Sequence, residues 1–185
     1  MKSEYIDGLI KQFEYYKMLG DKTFNQLNKN DLFWKYNTES NSIATIVNHL
    51  AGNMLSRWTD FLSSDGEKTW RNRDIEFDDI ILDKQSMIER WNQGWNCLLQ
   101  TLHSLNDEDL NKIIYIRNQG HTVSEAINRQ LAHYPYHVGQ IVFIGKMLAQ
   151  DWESLSIPKG NSKEYNDLKF AQEKEKTHFT DEFLK

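Results

Sequence analysis

At 185 residues the chain is long enough to bury the core of one domain without disulfide staples, and 39% hydrophobic and 12% aromatic residues suit a folded protein. A formal net charge of −5 and an isoelectric point near 5.7 argue against nucleic acid as a partner, which would call for a basic stripe. No apolar run approaches the roughly 18 residues of a membrane span. The opening Met1–Ile10 lacks a signal-peptide pattern and Cys97 has no second cysteine to pair with, so a cytoplasmic protein without membrane contacts is expected.

Only two prolines and nine glycines favour helices over a β-sandwich. A first helix is predicted over about residues 3–28, where Ile6, Leu9, Ile10, Phe13, Tyr16, Phe24 and Leu27 recur at helical spacing. A second, over about 42–63, opens with Ser42 as N-cap and carries Ile43, Ile46, Val47, Leu50, Met54, Trp58 and Phe61. The polar stretch that follows, through Asp79, is too long for a tight turn, and its Trp70 and Phe77 are expected to pack down on the helices. A third helix, over about 83–105, gathers Met87, Trp91, Trp95, Leu98, Leu102 and Leu105 on one face. The β-branched run Ile113-Ile114-Tyr115-Ile116, ending in Asn118-Gln119-Gly120, predicts a brief extended piece or hairpin. Thr122 and Glu125 then form a capping-box signature that starts a fourth helix over about 123–149. The fold class is therefore all-α: a four-helix bundle over residues 1–150 with a short insert before its last long helix, in up-and-down or crossover order. Residues 151–185 read as a loop and charged tail, with a short helix at most, packing on the bundle or trailing from it.

Chemistry concentrates in His133-Tyr134-Pro135-Tyr136-His137. Four residues apart on a helix, the two imidazoles share a face and can grip one divalent cation. At 100° per residue they fall in a stripe about 80° wide with Ala126, Gln130, Ile141, Ile144 and Leu148. Imidazole on such a face needs a partner, either one hydrogen bond each or a shared metal. Pro135, between them, removes a helical hydrogen bond and either kinks the helix incidentally or sets the angle between the rings. His49 lies beside Asn53 and Asp60 at the polar margin of the second helix, which fits a surface histidine and a ligand equally well. Were the two helices brought together, three nitrogens would converge and leave coordination positions open, as in reactive metal sites. His103, His121 and His178 are expected to be solvated, and Cys97, on the polar side of the third helix, to be neither ligand nor nucleophile.

Two familiar chemistries are disfavoured. Tyr134 stands where a His-Glu-x-x-His protease carries its general base, and no Glu-x-x-His pairs repeat across the helices as in di-iron bundles. An all-imidazole mononuclear site suits zinc, nickel, iron or copper.

Several segments together carry a family resemblance: Ile46-Val47-Asn48-His49-Leu50, Arg71 through Phe77, His121-Thr122-Val123, Ala132 through Ile141, and Trp152 through Gly160. The chain resembles the DinB-like (YfiT-like) helical-bundle superfamily of metalloenzymes, and within it a bacterial branch classed as a domain of unknown function. The resemblance implies a homodimeric four-helix bundle with one divalent transition metal (nickel, zinc or iron) on His49, His133 and His137. It also implies a low-molecular-weight thiol as cosubstrate in transfer or isomerisation of small molecules. The leading expectation is a mononuclear metal-dependent enzyme, of the thiol-dependent transferase type or hydrolase-like, with Asn53, Arg57, Gln130 and Gln140 lining its site. A non-catalytic metal-binding stress protein and a structural dimerisation bundle are the alternatives.

Overall fold

Residues 4–184 are described by a computed structural model, so Ser3, the expected start of the first helix, and Lys185, at the end of the tail, lie outside them. The described residues form six α-helices and one two-stranded sheet, a mostly helical protein as expected. Helix α1 (Glu4–Asn25) has Glu4 and Asp7 in its first turn, where carboxylates complement the helix dipole, and buries Ile6, Leu9, Ile10, Phe13 and Phe24. The one-turn helix α2 (Lys29–Leu32) follows through an Asn28–Asp31 capping box and buries Leu32.

Helix α3 (Ile43–Trp58) starts where expected, with the Ser42 side chain accepting the Thr45 N–H. It ends sooner than the apolar spacing suggests, because Asp60 takes a positive φ of 48° and turns the chain, although Phe61 is still buried. All of α3 except Leu55 is buried, so this helix occupies the centre and has no solvent face. Helix α4 (Lys84–Ser104), capped by Asp83, buries Met87, Trp91, Trp95, Leu98 and Leu102 as predicted, with Leu105 just beyond its end. Gly94 permits its close approach to α3, since a Cβ there would lie 2.8 Å from Ala51 Cα.

Strands β1 (Ile113–Ile116) and β2 (Gln119–Thr122) pair antiparallel, with Ile116 opposite Gln119. The expected hairpin is present, but its turn is Arg117-Asn118, both at positive φ, a backbone that suits the strand twist. Asp65 accepts both turn N–H groups at 2.8 Å and thereby ties the hairpin tip to the loop after α3. Thr122 and Glu125 cap helix α5 (Val123–Leu148) reciprocally, as predicted, and the helix continues through Pro135.

Helix α3 packs against α4 and α5, and α1 against the same two helices. The loop after α3 is anchored through a 3₁₀ turn, Asp74–Phe77, where Asn48 donates to the Glu76 carbonyl. Phe77 packs down as expected. Trp70 does not: it is 59% exposed, because Arg71 rather than Trp70 turns inward. Beyond helix α6 (Ser162–Phe170) the chain returns to α1, where Lys11 pairs with Asp181, Tyr15 packs on Phe179 and Phe183, and Thr180 is buried. No helix among the described residues is long and apolar enough to cross a membrane.

Candidate metal centre

His49 on α3 and His133 and His137 on α5 meet at one point. One ring nitrogen from each lies within 4.8 Å of the others, and this group could hold a metal ion. Tetrahedral ligands on bonds of about 2.1 Å stand about 3.4 Å apart. His133 Nε2 and His137 Nε2 are already 3.1 Å apart, so this pair is close to that spacing.

Each ring is oriented from its other nitrogen. His49 Nδ1 donates to Glu76 Oε2 at 3.0 Å, His133 Nδ1 to Gln130 Oε1 at 3.3 Å, and His137 Nδ1 to Gln140 Oε1 at 2.9 Å. All three acceptors are oxygens without a proton to give, so Nδ1 must carry the hydrogen in each case. In the neutral rings the Nε2 lone pairs are then left for a common partner, and a cation seated between His133 and His137 would relieve the facing pair. Burial, and the repulsion that a proton on this ring would meet from the neighbouring imidazoles and from Arg57 and Arg129, depress His133 to about 4. Burial lowers His137 as well, against the opposing Gln140 bond. Both rings therefore favour the neutral form, which is the form that ligates metals.

The stripe buried on α5 runs through Ile127, Gln130, Tyr134, Val138 and Ile141, one position away from the histidines. His133 and His137 thus border the core, half-buried, and do not sit within it as the 100° projection suggested. For His49, which periodicity left open between surface and ligand, the structure decides for burial. The residue is 4% exposed, because the loop after α3 covers what the helix pattern reads as a polar margin. Phe77 stacks on its ring, centroids 4.8 Å apart and planes at 26°, and the Arg73 guanidinium lies over the Phe77 ring, 5.3 Å from its centroid.

Glu76 is the support that sequence reasoning missed. Its carboxylate, besides taking the His49 proton donor, accepts Arg71 Nε at 2.7 Å and Nη2 at 2.9 Å, while Arg71 Nη1 reaches Glu67. Burial raises the Glu76 pKa, but the hydrogen bonds and charges of Arg71 and His49 outweigh it and hold the carboxyl below its usual range. Gly52, three residues after His49, makes room: a Cβ there would stand 2.2 Å from Glu76 Oε1. The signal in the sequence was the mixture of arginine and acid in Arg71-Asn72-Arg73-Asp74-Ile75-Glu76-Phe77, a segment whose spacing has no period to interpret.

The cluster opens into a cavity of about 500 Å³ between α3, α5, the loop after α3 and the hairpin. Of the expected lining residues, Asn53, Arg57 and Gln130 border it. Gln140 does not. It borders a neighbouring apolar cavity with Trp34, Phe143 and Met147 and acts on the site only through His137. Tyr134, at the position of a protease base, points into the core instead, where it donates to Asn53 Oδ1 and accepts from Trp58 Nε1, and burial raises its pKa. Arg57, 4% exposed, has Nε and Nη1 buried without a hydrogen-bond partner. Leaving a buried N–H unpaired costs about 1–3 kcal/mol, and an uncompensated buried charge costs more.

The other candidates stand apart. His103 is exposed, as expected. His121 and His178 are half-buried where solvation was expected: His121 Nε2 is enclosed without a partner, and His178 Nδ1 bonds Thr180 Oγ1 at 2.7 Å. Cys97 is partly buried against Thr59, and burial pushes its thiol up, away from the thiolate a nucleophile needs.

A family model matches residues 1–161, which include all three histidines and Glu76. The chain belongs to the family described as protein of unknown function (DUF1572). No curated protein and no solved structure matches it. In this DUF1572 chain the matched region contains every element around the cavity, while α6 and the segment that returns to α1 lie beyond it.

Proposed function

We propose that the four long helices form a DinB-like (YfiT-like) four-helix bundle and that the protein is a mononuclear metal-dependent enzyme acting on small molecules with a thiol cosubstrate. The observation that carries the reading is the convergence of three imidazoles, each held at Nδ1, on one side of a cavity large enough for a small molecule. Three protein ligands suit an ion that keeps a position for an exogenous group, and imidazole donors suit zinc, nickel or iron. A divalent ion seated there would supply Lewis acidity, lowering the pKa of a thiol or water that reaches it. His49, His133 and His137 hold and shape the site, Glu76, Gln130 and Gln140 fix their tautomers, and Phe77 shields the His49 ring. In the transfer proposed, the thiol sulfur attacks an electrophilic carbon. A C–S bond forms as the leaving group departs with its electron pair, and the thiol proton passes to solvent.

The test begins with protein purified without a polyhistidine tag. Zinc or nickel titration is expected to find one ion per wild-type chain and no tight binding to His49→Ala or His137→Ala. Turnover of thiols with electrophiles should then require the loaded wild type, and equal turnover by His137→Ala would overturn the enzyme. Tight uptake with no turnover would instead favour a non-catalytic metal-binding protein.

A further inference from the structure

Arg57 has no evident structural purpose. It follows His49 on α3 by eight residues, about two turns and 12 Å along the axis, and both side chains border the same cavity. Its guanidinium lies in the field of Arg71, Arg129 and Glu67, which also border that cavity, and its charge acts on His133. The acid nearest in effect, Glu67, is already engaged by Arg71 and Arg117. Among the described residues no carboxylate pairs with Arg57, and two of its nitrogens are enclosed with nothing to donate to. The backbone makes way for it, since a Cβ on Gly66 would lie 2.6 Å from Nη1. Arg71 shows what a structural arginine looks like here, with each of its three nitrogens bonded to a carboxylate.

We infer that Arg57 anchors the anionic group, a carboxylate or phosphate, of a small-molecule substrate whose reacting end lies at the three histidines. This rests on the reading of the histidine cluster as the place of reaction. A guanidinium matches both oxyanions with paired donors. Withdrawn from water and lacking an internal partner, it gains more from an incoming oxyanion than an exposed arginine would. The neighbouring arginines add a positive field inside a chain of net charge −5, which draws small anions to this cavity in preference to the rest of the surface. The separation along α3 implies a molecule in which the charge and the reacting atom are at opposite ends.

The experiment uses the metal-free full chain, so that it reads the anion site independently of metal chemistry. Calorimetric titration and thermal denaturation are run with inorganic phosphate, succinate and the neutral succinamide. Phosphate or succinate is expected to bind and raise the melting temperature, with the tighter of the two identifying the group, and succinamide to bind at least tenfold more weakly. Arg57→Gln should lose at least tenfold in affinity for the anion while still titrating with one zinc ion. Equal binding of succinate and succinamide, or unchanged anion affinity in Arg57→Gln, would overturn the inference. Should that variant not fold, the comparison of charged and neutral ligands on the wild type decides alone. Absence of zinc binding to the wild type would sink the metal-site reading, a result separable from either anion outcome.

Discussion

Arg71, on the loop after α3, and Arg57, on α3 itself, border one cavity, and both are withdrawn from solvent, yet the molecule treats them differently. Arg71, with a side chain 3% exposed, is bonded to Glu76 and Glu67, and through Glu76 it reaches His49. Among the described residues Arg57 has no such partner. A buried cation must be compensated, and the two arginines show two ways to do it. Compensation within the chain makes Arg71 part of the framework that orients a ligand histidine. Compensation left to an incoming molecule makes Arg57 a recognition element. The loop thus supports a histidine that the helices present, and α3 carries the arginine proposed to select what enters.

Denaturation can break this contrast. Glu76→Gln removes the charge that Arg71 and His49 share and should cost about 3–5 kcal/mol in urea unfolding. It should also weaken zinc binding about 10–100-fold, because the His49 ring loses its orienting carboxylate. Retained stability and retained zinc affinity would mean that the loop is not a framework. Arg57→Gln should do the reverse in anion-free buffer and stabilise the protein by about 1 kcal/mol, since it removes an uncompensated charge. A loss as large as that of Glu76→Gln would erase the distinction.

The smallest effect is expected at Asp65, whose carboxylate ties the loop to the hairpin from a partly solvated position. Burial raises its pKa, but the N–H groups of Asn118, Glu67 and Arg117 outweigh this and lower it. A depressed carboxyl contributes stability above its unfolded value of about 3.9, lost as the pH falls through the lower folded value. Acid titration of wild type against Asp65→Asn should show a difference of at most about 1 kcal/mol, given solvent screening, vanishing below that window.

Much of the helical framework was legible. Ser42 and Thr122 are caps whose side chains can only work at a helix start, and the Met87–Leu105 face repeats with a period that leaves no other reading. The i, i+4 spacing of His133 and His137 is enough to place two of the three imidazoles together. What periodicity could not supply was everything set by the aperiodic loop after α3. It buries His49, brings in Glu76 and Arg71, and turns Phe77 inward while leaving Trp70 outside. A helix pattern reports which face is polar but not whether solvent or another segment meets it, and on α3 the polar side is covered by a charged loop that satisfies it. Gln140 failed as a lining residue for a simpler reason: its amide bonds His137 from behind, on the side of the apolar cavity.

Gly52 has a consequence of its own. The support of His49 depends on a carboxylate seated where a methyl group would otherwise be. Adding that one carbon would evict Glu76 without altering a ligand, a charge or a hydrogen-bonding group. The His49 ring can therefore be uncoupled from its supporting carboxylate at a position that has no chemistry at all.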